Sequence, residues 1–319
     1  MGTEYNQNIY FETSAVNFLF RDFEVIDAIA TRSLQESKGN RWYLSPVTLW
    51  EMMLIGDEEH KEKLFSLSKH TFYKYLLKSP SEILFGYIQG DFNSKTRSDI
   101  HSASILAERW TEICENPSLT FGTNAAEFME ATQKFKKYAK QIDSIVNSIY
   151  FDAEINDEVK WLNLMVNGAF KAIYNLKFVD AEQTKIFKIN LLLILVIGCL
   201  GIDATPDVVH AFWKEKKITS VYSRFLYLVT HFPILLQDGP LMYSSIMVYA
   251  QMKSKKSRGV LHDALHCMYL PMVDGFLTSD PDFEDFSIIG QGGNLSKIRI
   301  LDESSFIRKK VWVDYEPLL

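Results

Sequence analysis

Four carboxylates stand at positions where an α/β sheet would gather them: Glu12, Glu51, Asp263 and Asp280, with Asp282 as a fifth candidate. Carboxylates crowded together repel one another, and a cation among them relieves that repulsion. Hard divalent ions such as Mg²⁺ or Mn²⁺ take oxygen ligands and keep several waters. One or two such ions generate hydroxide and stabilise the leaving oxygen of a phosphodiester. The expected chemistry is therefore metal-dependent phosphodiester hydrolysis. Glu12, Glu51, Asp263 and Asp280 hold the ion directly or through water and are the catalytic set. Asp274 is left out: six residues before Asp280 across a strand, it lies on the order of 15–20 Å away, toward the other end of the sheet.

The elements that must position these acids can be read in order. Asn8 to Phe11 is a short apolar strand, and Glu12 follows at once. Ala15, Val16, Phe18 and Leu19 then begin a helical pattern that Phe23 to Leu34 continues. Gly39 and Asn40 break the chain, and Arg41 to Leu44 makes a second strand. Ser45 followed by Pro46 starts the next helix, Ser as N-cap and Pro at the first helical position. Glu51 falls in its second turn, on an otherwise apolar helix. Near the other end, Asp263 opens a helix, Val273 to Leu277 is a buried strand, and Thr278 to Asp282 sit where that strand stops. Strands alternating with helices imply parallel pairing, and in such sheets the site lies outside the carboxyl ends of the strands. Glu12 and Asp280 both reach that crevice.

Between these ends the pattern is helical. A helix is expected over about Lys61 to Leu77 and another from Ser98 and Asp99 through Ile113. A third starts at Asn124, with Glu127 in capping-box spacing. That third helix carries Phe128, Ala131, Phe135, Tyr138, Ile142, Ile145 and Ile149, a three-heptad packing seam. Further helices are expected around residues 156–178, 182–199, 205–217, 219–231 and 240–253. The organisation expected is an α/β domain split between residues 1–57 and 259–319, with an all-α insertion at 58–258. Lys253, Lys255, Lys256 and Arg258 form a basic stretch before Asp263. It reads either as a solvated loop or as a phosphate contact beside the acids.

The 319 residues are 47% hydrophobic with net charge −6. This composition supplies a sizeable core and disfavours non-specific nucleic-acid binding through an overall basic surface. Cys114, Cys199 and Cys267 are far apart and odd in number, so neither a disulfide framework nor a structural zinc site is expected, and a reducing, cytoplasmic setting fits. The N-terminal residues show no apolar h-region, so a signal peptide is not expected. Leu191 to Ile202 is a twelve-residue apolar run, read as a buried core helix because a membrane span needs roughly 20 residues. His262 and His266 flank Asp263 in an H-D-x-x-H pattern like the zinc signature, but Asp is short for the general-base role and no third ligand stands out. No P-loop or G-x-G-x-x-G is present, which disfavours nucleotide-cofactor chemistry.

Three pieces, IYFETSAVNFL, YLSPVTLWEM and HDALHCMYLPMVDGFLTSDPDF, resemble the PIN-domain nuclease superfamily, and Lys297 to Phe306 looks like its last strand and tail. Together they cover roughly 110 residues at the two ends. The resemblance implies a PIN-like parallel sheet flanked by helices, a metal-dependent acid pocket and endoribonuclease activity. Carried over by position, Glu12, Glu51, Asp263 and Asp280 match the family's four acids, while Ser14 and Thr278 match flanking hydroxyls. Glu12 departs from the usual Asp by one methylene, and the helical insertion is absent from small toxin-type members. The readings left open are RNA or DNA as substrate, a flap nuclease, and a catalytically weak or inactive PIN-like protein whose helical insertion binds a protein partner.

Overall fold

The structure, a computed structural model, describes residues 7–21, 23–37, 39–72, 76–89, 125–151, 157–174, 180–202, 206–236, 239–253, 260–283 and 298–300. They fall into two compact units. One is drawn from Met1–Leu77, His101–Phe128 and Met272–Leu319, the other from Lys78–Ile100 and Met129–Pro271. The helix expected near residues 98–113, the Asn124 cap, and Lys255, Lys256 and Arg258 lie outside the described residues.

Among its described residues the first unit has four short strands, β1 (Asn8–Phe11), β2 (Arg41–Tyr43), β3 (Gly275–Thr278) and β4 (Ile298–Ile300). They pair in the order β2-β1-β3-β4, every pair parallel. All residues of β1 and β3 are buried, as a parallel sheet covered on both faces requires. The twofold alternation of a strand sends Ile9 and Phe11 to one face, into a core with Trp42, Leu44 and Leu277. Tyr10 and Phe276 pack edge to face with ring centroids 5.3 Å apart.

Among the described residues, four helices accompany the sheet: α1 (Thr13–Phe20), α2 (Val25–Ser37), α3 (Pro46–Met53) and α4 (Glu58–Thr71). Helix α3 starts as its sequence dictates: Ser45 Oγ accepts from Thr48 N at 3.1 Å and Pro46 occupies the first turn. Helix α4 begins three residues earlier than its apolar pattern, because Asp57 Oδ1 caps it by accepting from His60 N at 3.1 Å. Its Leu64, Phe65 and Leu67 enter the same core as β1. Phe72, just past its end, packs against Phe11, Phe20 and Trp42. The first boundary between units falls after Leu77 rather than at residue 57, since the apolar side chains of α4 pack into the core of the first unit.

The second unit is helical throughout its described residues. It contains α5 (Pro80–Gln89), the part of α6 (Ala125–Phe151) from Met129 onward, α7 (Lys160–Ile173), α8 (Ala181–Leu193), α9 (Pro206–Lys216), α10 (Val221–His231), α11 (Pro240–Lys253) and α12 (Val260–Cys267). In α6, Ile142, Ile145 and Ile149 of the expected seam are buried. Helix α8 continues into a π-helix at Ile194–Leu200, giving 20 residues long and apolar enough by composition to cross a membrane. Leu191 to Ile197 are nevertheless all at or below 1% exposure inside the packed unit, which is the core role expected of them. The helix ends at Gly201, whose φ of 68° is the left-handed turn that glycine adopts at least cost. Helix α12 packs on α11, where Ser244 Oγ donates to Ala264 O at 2.6 Å. It therefore belongs to the helical unit, and the second boundary falls before Met272 rather than at residue 258.

Candidate active site

The parallel register brings the carboxyl ends of β1, β2 and β3 level. Phe11 lies opposite Leu277, and Tyr10 opposite both Tyr43 and Phe276. Glu12 follows β1, Ser45 stands two residues past β2 and Thr278 closes β3, so these three residues gather at the carboxyl ends of the strands. Asp274 lies at the opposite end, where its Oδ2 accepts from Asn8 N at 2.9 Å, the strand-end role its spacing implies.

Glu12 is 5% exposed and does two jobs at once. Its backbone N–H extends the β1–β3 ladder to Leu277 O at 3.1 Å. Its side chain folds forward as the N-cap of α1: Oε2 accepts from Ser14 N at 2.9 Å, Oε1 accepts from Ala15 N at 3.0 Å, and Ser14 Oγ also donates to Oε1. The positive end of the α1 helix dipole thus faces this carboxylate.

Glu51 projects from the second turn of α3, where Oε2 accepts from Thr13 Oγ1. Consecutive hydroxyls on α1 therefore hold the two acids, Thr13 taking Glu51 and Ser14 taking Glu12. One carboxylate oxygen of Glu12 and one of Glu51 come within 4.8 Å of each other. At that separation two unit charges would repel by about 3 kcal/mol at an effective dielectric of ~20.

A chain of polar contacts leads from this pair to the β3 end. Ser14 has one proton, and Glu12 takes it. Its lone pairs then receive Ser279 N at 2.8 Å and lie 3.4 Å from Thr278 Oγ1. Thr278, wholly buried, accepts from Asp280 N at 3.0 Å, which fixes the backbone of the half-buried Asp280. Asp280 Oδ1 in turn accepts from Asp282 N at 2.9 Å, opening the short turn Pro281–Phe283. Asp282 itself is exposed on that turn.

The remaining sequence candidates belong to the second unit. Asp263 lies inside the first turn of α12 rather than opening it, because the helix starts at Val260, and its Oδ2 accepts from Gln251 Nε2. His266 is 1% exposed on the same helix. Lys253, the last residue of α11, is exposed with Nζ 4.0 Å from Glu182 Oε1.

Thr13 escaped the sequence reading, although a hydroxyl beside a strand-end acid was its signal. Also missed was an open cleft of about 600 Å³ that starts at Ser14 and Ser279 and runs along α1 to α4. In it His60 Nε2 lies 3.1 Å from Asn17 Oδ1. Comparison with known families, with curated proteins and with solved structures finds no match in any of the three.

Proposed function

We propose that this chain is a PIN-like, Mg²⁺- or Mn²⁺-dependent phosphodiesterase whose substrate is RNA. The observation that carries the reading is the Glu12–Glu51 pair at the carboxyl ends of a parallel sheet, its oxygens within 4.8 Å and its carboxylates held by adjacent hydroxyls. The two carboxylates are anionic oxygen donors, which suit a hard divalent ion. When bound, such an ion supplies activated water and charge stabilisation for a departing alkoxide. In this reading Glu12 and Glu51 hold the ion and Asp280 adds a third acid. Thr13 and Ser14 fix the orientation of the first two, so little reorganisation accompanies binding. Asp263 stands on the helical unit and is not needed for this pair.

A second reading has its own support. Glu12 is fully engaged as the cap of α1, a structural role, which favours a non-catalytic PIN-like protein whose helical unit binds a protein partner. One experiment separates the two. Mn²⁺-dependent cleavage of single-stranded RNA, structured RNA and single-stranded DNA is measured for wild type, Asp280→Asn and Glu12→Asp. Cleavage of RNA that Asp280→Asn abolishes supports the nuclease; preferred cleavage of DNA moves the substrate class. An inert wild type that also binds no Mn²⁺ by calorimetry leaves the partner-binding reading.

A further inference from the structure

We infer that the cleft beside the acid pair is the track for a single-stranded nucleic acid, with Arg21 and Lys63 receiving its phosphates. The inference rests on the nuclease reading for the identity of the strand, but its own observations are independent of the acids. The cleft is lined on one side by Arg21 at the end of α1, and on the other by His60 and Lys63 on α4; none of its lining residues is acidic. In a chain of net charge −6 this local reversal of sign makes a focused positive site. Lys63 is exposed and makes no ion pair among the described residues, although Glu59 stands one helical turn before it. The bond to Asn17 fixes the ring of His60 in the cleft.

The floor has different chemistry. Phe18 and Ile55 are half-buried and present apolar surface, and the Arg21 guanidinium sits over the Phe18 ring 5.3 Å from its centroid. Cations along the walls with aromatic and apolar surface between them are what a single strand needs: phosphates pair with the first, and base faces lie on the second. An acidic peptide would use the walls but leave the floor unmatched. The volume falls within the range of built ligand sites, roughly 300–1,000 Å³. The cleft also shares Ser14 with the Glu12 network, so a strand lying in it would run into the acid pair.

The test uses the full chain without metal, so that no cleavage intrudes. Affinity for a labelled 12-residue oligouridylate is measured by fluorescence anisotropy across a salt series. The proteins are wild type, Lys63→Glu, Lys63→Gln, Lys63→Arg, Arg21→Glu, and Lys160→Glu as an exposed lysine on the helical unit. Lys63→Glu and Arg21→Glu are expected to weaken binding about tenfold, and Lys63→Gln about threefold. Each lost contact should flatten the log–log salt slope by about 0.7. Lys63→Arg and Lys160→Glu should bind as wild type does. Equal affinity and slope in all variants would overturn the inference, as would absence of binding by wild type or equal displacement by polyglutamate. The nuclease reading fails separately. If Lys63-dependent binding persists in a protein that neither binds Mn²⁺ nor cleaves, the cleft stands without it. If cleavage is intact and insensitive to Lys63→Glu and Arg21→Glu, the acid pair stands without the cleft.

Discussion

Replacing Glu12 by Gln tests whether the Glu12–Glu51 pair is built around a cation. The change keeps the side-chain shape and removes one charge. In the metal-free protein it relieves a repulsion of about 3 kcal/mol. Against this, three donors converge on the Glu12 carboxylate, from Ser14 N, Ala15 N and Ser14 Oγ. An amide offers one acceptor oxygen and turns its NH₂ toward a donor, which forfeits about 1–3 kcal/mol. The two effects offset, so metal-free stability should move by less than about 2 kcal/mol. The response to Mn²⁺ should differ far more. At a hundredfold excess over Kd a ligand stabilises by about 2.7 kcal/mol, which at ~2–4 °C per kcal/mol is a rise of about 5–10 °C in Tm. Differential scanning fluorimetry with EDTA or Mn²⁺ should show that rise in wild type and less than a third of it in Glu12→Gln. An equal rise in both proteins would refute Glu12 as a ligand; no rise in wild type at millimolar Mn²⁺ would refute the cation reasoning.

Other perturbations probe the scaffold. Ser45→Ala removes the cap of α3 and one of the two hydroxyls near Tyr10 Oη, and should cost about 1–2 kcal/mol by urea unfolding. Gly201→Ala forces a side chain into a φ of 68° at the end of the buried apolar helix, with an expected loss of about 1–2 kcal/mol and a correspondingly lower Tm. Burial lifts the Tyr174 phenol from 10.0 to about 12; burial, with help from the Glu182 carboxylate, does the same for Tyr249. The unfolded chain therefore releases these protons first, and the tyrosines' contribution to stability should be constant below pH 10 and be lost between pH 10 and 12. Absorbance titration at 295 nm beside circular dichroism checks this, and a fully normal tyrosine titration in the folded protein would contradict it.

The sequence by itself determined the features that are local. The apolar run Asn8 to Phe11 had to be a buried strand, Ser45 and Pro46 had to start a helix, and strand–helix alternation had to give parallel pairing. From these alone Glu12 falls at a carboxyl edge and Asp274 at the opposite one. The apolar run from Leu191 to Ile202 was legible as core only through its length, since its composition would also suit a membrane span; Leu191 to Ile197 are buried in the helical unit. Helix starts fixed by a single side chain were less legible: Asp57 draws α4 back to Glu58, and α12 begins before Asp263.

Tertiary structure decided what depends on residues far apart in the chain. Thr13 finds Glu51 across 38 positions, and Ser14 receives Ser279 across 265. The unit boundaries follow from which core each apolar helix face enters, and periodicity gives a face without naming its partner. The cleft exists because the end of α1, the start of α4 and the turn after β3 meet. Its cations, Arg21 and Lys63, stand 42 positions apart and form no pattern along the sequence, because charge near a site is set by distance in space.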